Sequence, residues 1–253
     1  MNERTTAANS VLGIDVGWSL KNKSSAACLL EWVDGKVFWR IERFRAIDTE
    51  YLPLLSNLTK GKQPLSAAFD GPLRRGLEAI KQYRKAEKLL TCNLQRIGKP
   101  GQSNSPNGIK LNEQANRYAQ TVLVNCALSQ ATHRHQIHDR AIVEAFPTSF
   151  LGLMVGSPRD IPTGRKAKSD VYFDYLAGNG TISNLLDYLL PGHVHKQAMT
   201  QIRNHNDRAA LVCAITALAV AVGKYSAVGD DNGWIILPPQ PFIAQPPMRL
   251  SFH

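Results

Sequence analysis

The chain is short of cysteine, short of acid and without a long apolar run. Its four cysteines, Cys28, Cys92, Cys126 and Cys213, lie far apart, and no C-x-x-C pair occurs. That spacing excludes a cysteine-built zinc module and a small disulfide scaffold, and it makes a reducing, cytoplasmic setting the expectation. No apolar run reaches the ~20 residues a membrane helix needs. The most apolar stretch, Ala209 to Val222, stops at Gly223 and Lys224, so no membrane partner is expected. Residues 1–10 are polar, with no apolar segment behind a basic start. They are read as a disordered tail and not as a secretory signal. Acids are outnumbered: 20 Asp and Glu stand against 30 Lys and Arg, a net charge of +10. A hydrophobic content of 43% is enough for an ordinary core and excludes a disordered polymer. A basic excess of this size is compatible with polyanion partners.

The excess is concentrated. Between Leu73 and Arg117 ten basic residues face three acidic ones, a local +7. A charge run of this kind is ordinarily a solvated helix face. It also suits a surface that tracks phosphates, because Lys and Arg displace counterions from a nucleic-acid backbone. Arg74, Arg75, Arg84, Lys85 and Lys88 are the candidates for nucleic-acid contact. Arg165, Lys166 and Lys168 form a smaller cluster in a loop flanked by Pro and Gly.

Hydrophobic periodicity gives the order of elements. Val11 to Val16 is a β-rich run ended by Gly17, and Ser25 to Trp32 is a second. Asp34-Gly35 marks a hairpin turn, and Lys36 to Phe44 alternates as a third strand should. Asp48 can cap a helix through Leu52–Leu58. Leu65 to Phe69 reads as a strand stopped by Asp70-Gly71-Pro72. Leu77 to Leu90 has helical spacing, Gly98 to Gly108 is a loop by composition, and Leu111 to Leu128 is a helix. Ala141 to Phe146 is a fifth strand. Short helices are expected around Phe150, Tyr172 and Leu185, and a long apolar one from Asp207 to Lys224. Trp234 to Leu237 is a last short strand. The pattern is α/β, a mixed sheet with helices on its faces. It shows no repeat and no linker, so residues 11–239 are read as one domain, followed by a Pro-rich tail at 240–253.

Three strands end in an acid: Asp15 in G-I-D-V-G, Asp70 in A-F-D-G-P and Glu144 in V-E-A-F-P. A fourth acid, Asp207, opens the last helix in H-N-D-R-A-A-L. Functional groups gather at the carboxyl ends of strands in open α/β sheets. Carboxylates brought together there repel one another unless a divalent cation sits among them, and Mg²⁺ prefers such oxygen donors. Two ions ~3.5–4 Å apart can clamp the attacking and leaving oxygens of a phosphodiester. Each acid also has an ordinary structural use: an Asp-Gly turn, a helix N-cap for Asp207, a buried partner of a neighbouring Arg for Glu144.

Those same segments, with the R-K-A-E-K-L-L helix and D-R-A-A-L-V-C-A-I-T-A-L-A-V-A-V-G ahead of G-W-I-I-L-P-P, resemble the domain of unknown function 429 family. That family is regarded as ribonuclease H-like nucleases. The resemblance runs from about Val11 to Pro239. It implies a five-stranded mixed sheet, its first three strands antiparallel, flanked by helices. It also implies a nuclease that hydrolyses DNA or RNA with Mg²⁺ or Mn²⁺. Asp15, Asp70 and Asp207 would then be the catalytic and metal-holding acids, with Glu144 as an addition near the centre. One departure is visible: relatives often read Asp-Ala-Leu where this chain reads Ala209-Ala210-Leu211.

Two other readings stay open. A small ATP-dependent kinase of the same superfold would use Gly17 and Ser19 after Asp15 as a phosphate loop, though no second Gly-rich loop is present. A non-catalytic nucleic-acid-binding protein would keep the scaffold and lose the helix acid. His133, His135 and His138 are read as a solvated loop, since no fourth ligand follows at zinc-site spacing. His193 and His195 are read the same way. His205, two residues before Asp207, could serve as a proton shuttle or support a metal ligand.

Overall fold

In the computed structural model the described residues are 8–59, 61–94, 101–158, 160–162, 164–244 and 251–252. Strand β1 (Asn9–Asp15) buries Val11, Leu12 and Ile14 completely. Burial on both faces marks a strand covered by helices on either side. It pairs antiparallel with β2 (Ser25–Val33), which turns at Asp34-Gly35 into β3 (Lys36–Phe44). Asp34 and Gly35 have φ of 48° and 71°, the positive pair a two-residue hairpin turn requires. On the other side of β1, β4 (Ala67–Asp70) and then β5 (Ile142–Ala145) add in parallel.

The sheet then continues past the five strands the family resemblance implies. A hairpin of β7 (Ser226–Asp230) and β8 (Gly233–Leu237) joins through β8, parallel to β5. Two-residue strands β6 (Val194–His195) and β9 (Ser251–Phe252) border β3 and β7. Among the described residues the order is β6-β3-β2-β1-β4-β5-β8-β7-β9. The edge strands are too short for a periodic signal, and β7 is a five-residue run that includes Gly229, so neither stands out by composition.

Helices cover both faces. Alternation sends Leu12, Ile14, Ala67 and Phe69 to one side, against α1 (Asp48–Thr59) and α3 (Pro106–Asn125). Val11, Ala68, Val143 and Ala145 go to the other. That side is covered by α4 (Pro147–Met154), α5 (Lys168–Gly178), α6 (Thr181–Leu189) and α7 (His205–Ala221). Helix α7 is buried all round from Arg208 to Val220. It lies directly on β1, where a Cβ on Gly13 would fall 2.1 Å from the Ala214 amide nitrogen. Only glycine allows so close an approach of helix to strand.

Four expected boundaries shift. The helical spacing over Leu77–Leu90 yields a helix only at its end, α2 (Lys85–Leu94). Gly76 and Leu77 take φ of 72° and 56°, which breaks a right-handed helix. Conversely α3 begins inside the expected Gly98–Gly108 loop. Ser105 accepts from the Gly108 N–H, and Pro106 takes the first helical turn, a position that suits proline. The expected N-terminal tail ends sooner than position 10, since Asn9 and Ser10 already belong to β1; residues 1–7 lie outside the described residues. Of the expected C-terminal tail, Gln240–Phe242 forms a 3-10 turn and Ser251–Phe252 forms β9; 245–250 and 253 lie outside the described residues. Among the described residues no helix is long and apolar enough to cross a membrane.

Candidate functional site at the carboxyl ends of β1 and β4

Asp15 is the last residue of β1 and Asp70 the last of β4, and parallel pairing sets them in register. Register partners in a sheet share a face. Gly13 and Ala68, two residues earlier on each strand, face α7, so both carboxylates emerge on the α7 side. Helix α7 crosses β1 with Ala210 and Ala214 against Gly13. One turn back along it lies Asp207, in the helix's first turn behind the Asn204 cap. Three of the four expected acids therefore come from three elements to one end of the sheet.

Their electrostatics bear this out. Asp15 is only 8% exposed. Burial first, then the charges of Asp70 and Asp207, push its carboxyl well above the usual range. Burial and then Glu144 push Asp70 up to about 7. Asp207 is raised by burial, opposed by Arg43. The Arg43 Nε lies 3.4 Å from Asp207 Oδ1, yet that buried oxygen has no hydrogen-bond partner among the described residues. Deeper in the core, burial and then the Asp70 and Asp15 charges raise the Cys213 thiol. Among the described residues no group of three or more His, Cys, Asp or Glu is already arranged to hold a metal ion.

Glu144 lies near enough to Asp70 for its charge to raise that carboxyl, yet it belongs to the other face of the sheet. Its register partner on β4 is Phe69, not Asp70, so it leaves the sheet on the α1 and α3 side. There Arg84 clamps it, Nη1 donating to Oε2 at 2.6 Å and Nη2 to Oε1 at 2.7 Å. The Leu73 N–H donates to Oε2 at 2.8 Å. Arg84 Nε also donates to Glu87 Oε1 at 2.7 Å. Arg84, Glu87 and Glu144 are 2%, 1% and 4% exposed. Burial raises the Glu144 carboxyl, while Arg84 and the Leu73 N–H pull it down. The expectation that Glu144 is a metal ligand is thus corrected: it is the buried partner of an arginine. Arg84 is corrected with it, since a guanidinium committed to two buried carboxylates is not a surface phosphate contact. Gly233 makes room for the clamp, because a Cβ there would fall 2.5 Å from Arg84 Nη1.

The other basic candidates lie off this end of the sheet. Arg75, Lys85 and Lys88 are exposed, and Arg74 pairs with Glu78 at 3.2 Å. Helix α2, which carries Lys85 and Lys88, packs on β7 and β8, beyond β5 from Asp70. A different segment rims the acids. The loop after Asp15 reads W-S-L-K-N-K, with Trp18 and Leu20 44% and 64% exposed and Lys21 and Lys23 exposed. Gly17 is anchored by its N–H to Ser25 Oγ at 3.0 Å, and Tyr118 holds that hydroxyl at 3.1 Å. Asn206 Nδ2 donates to the Lys23 carbonyl at 3.1 Å, tying the loop to the start of α7. Its signal was an exposed aromatic interleaved with lysines, which the weight of charge in 73–117 overshadowed.

The histidines also resolve. His135 is not solvated: it is 0% exposed, its Nδ1 3.2 Å from Tyr225 Oη and its ring 4.3 Å from that of Trp234. His205 faces away from the acids, with Nδ1 3.1 Å from Asp170 Oδ1 on α5. The chain matches no known protein family, no curated protein and no solved structure.

Proposed function

We propose that the chain is a divalent-metal-dependent nuclease whose reaction centre is Asp15, Asp70 and Asp207. The observation that carries this reading is the register of Asp15 against Asp70: two carboxylates set side by side in buried surroundings, facing a third, with no ion-pair partner for either among the described residues. Such a donor set fits a hard cation, and Asp207 Oδ1 accepts no hydrogen bond from the described residues, its only cationic neighbour there being Arg43. Asp15, Asp70 and Asp207 would hold Mg²⁺ or Mn²⁺, and Glu144 would not, since Arg84 grips both its oxygens and the Leu73 N–H holds one of them. When bound, the ion supplies Lewis-acid activation of water and neutralises charge on the phosphodiester oxygens.

The chain's own part is positioning. Asp15, in electrostatic contact with both other acids, is the shared donor. Arg43 pairs with Asp207 and would compete with a cation for it. Lys21 and Lys23 receive the strand's phosphates beside Trp18, contacts that position without reading sequence. The three antiparallel first strands, the parallel β4 and β5 and the helix over β1 support a ribonuclease H-like reading of the fold.

The Arg43–Asp207 pair also favours a second reading, a nucleic-acid binder without catalysis. Incubation of single- and double-stranded DNA and RNA with Mg²⁺ or Mn²⁺ separates the two. Cleavage abolished by Asp15→Asn supports the nuclease, and salt-sensitive binding without turnover supports the binder. Cleavage that survives Asp15→Asn refutes the assignment of the centre.

A further inference from the structure

A cavity of about 170 Å³ opens beside Asp70, between the Trp18 loop and the start of α3. Trp18, Pro72, Leu111 and Phe146 form its apolar walls. Ser103 also lines it. That residue is 1% exposed, and its Oγ has no hydrogen-bond partner among the described residues. An unpartnered buried hydroxyl costs stability, and on a cavity wall it is within reach of a ligand. The loop holding it is set by close packing: a Cβ on Gly108 would fall 2.3 Å from the Gln102 carbonyl oxygen.

The lining decides the class of ligand. Its charged residues are Asp70, Glu87 and Glu144 against Arg84 alone, so a phosphate is repelled and a hydrogen-bond donor welcomed. The volume lies below the ~300–1,000 Å³ of pockets that enclose a whole drug-sized ligand, so one ring system fits and a whole nucleotide does not. An exposed tryptophan at the mouth offers a stacking face, which every nucleobase can use.

We propose that this cavity is a nucleobase pocket that takes a base with an amino edge, Trp18 stacking on the ring and Ser103 Oγ accepting from the amino group. It deepens the nuclease reading and rests on it for the polymeric substrate: a base lodged here anchors its strand next to Asp70.

The test is nucleoside binding to the whole chain without metal, read by quenching of tryptophan emission. Cytidine should quench saturably. Uridine, which lacks the amino group, should bind about 3- to 10-fold more weakly, the worth of one hydrogen bond, and ribose 5-phosphate should not bind. Trp18→Phe should remove the signal. Ser103→Ala should weaken cytidine about 3- to 10-fold while raising Tm, since it deletes an unsatisfied buried hydroxyl; a merely structural serine would not combine those effects. Equal quenching by ribose 5-phosphate or uridine, a signal that survives Trp18→Phe, or unchanged cytidine affinity in Ser103→Ala overturns the pocket. Cytidine binding in a protein that cuts no nucleic acid upholds the pocket and removes the nuclease. Cleavage without nucleoside binding does the reverse.

Discussion

Asp70→Asn should stabilise the protein, and only above a defined pH. The folded carboxyl holds its proton to about 7, against an ordinary 3.8. Between those values the folded state binds more protons than the unfolded chain, so stability falls as pH rises from about 4 to about 7 and is flat beyond. The gap, at about 1.4 kcal/mol for each pH unit, comes to roughly 4 kcal/mol. Asp70 keeps some exposure, and solvent screening leaves on the order of 2–4 kcal/mol. Asparagine mimics the protonated form at every pH. Urea unfolding followed by circular dichroism, in chelator, should therefore find the variant more stable than the parent by about 2–4 kcal/mol near pH 8 and within about 0.5 kcal/mol of it near pH 4. Mg²⁺ should narrow the difference at high pH, because an ion that binds only the folded parent stabilises it. A difference of the same size at both pH values, or a parent more stable than the variant near pH 8, refutes the picture of an Asp70 carboxyl kept protonated by burial and, after it, by the Glu144 charge.

Arg84→Met leaves Glu144 and Glu87 buried without their cation and should cost about 3–5 kcal/mol in denaturant titration. Adding Glu144→Gln should recover part of that loss. Gly13→Ala forces a Cβ into the α7 backbone; a loss of at least ~3 kcal/mol is expected, or no soluble protein, beyond the usual range for overpacking because backbone cannot yield as a side chain does. Replacing Lys21 and Lys23 together by Gln should weaken nucleic-acid binding and flatten its salt dependence by about 1–2 in log–log slope. The same change at Lys85 and Lys88 should do less, and the reverse ranking would return the interface to α2.

The order of elements was legible because each leaves a local trace. Alternation in Lys36–Phe44, Asp34-Gly35 and the apolar stretch from Ala209 all read correctly. The helix expected over Leu77–Leu90 failed for a nonlocal reason. Its spacing is helical, but the chain uses 78–84 to carry Arg84 across β5 to Glu144, and the positive φ at Gly76 and Leu77 directs it there. Ser105-Pro106 was a start signal hidden in a loop composition. His135 looked polar and loop-bound, and burial came from Tyr225 and Trp234, residues far along the chain.

By itself the sequence determined that Asp15, Asp70 and Glu144 lie at or next to the ends of short strands and that Asp207 lies in the first turn of a helix, since those facts follow from periodicity and turn residues near each acid. Which of them meet was decided only in the tertiary structure. A strand's pattern tells which of its own residues share a face, but the face shared between strands depends on register, a pairing of distant residues. One step of register sets Asp70 beside Asp15 and turns Glu144 through the sheet to Arg84. Asp207 reaches the same end because Gly13 lets α7 lie close on β1. The basic excess, read along the chain as one surface, divides in space into an internal clamp, a remote helix and a small rim around the acids.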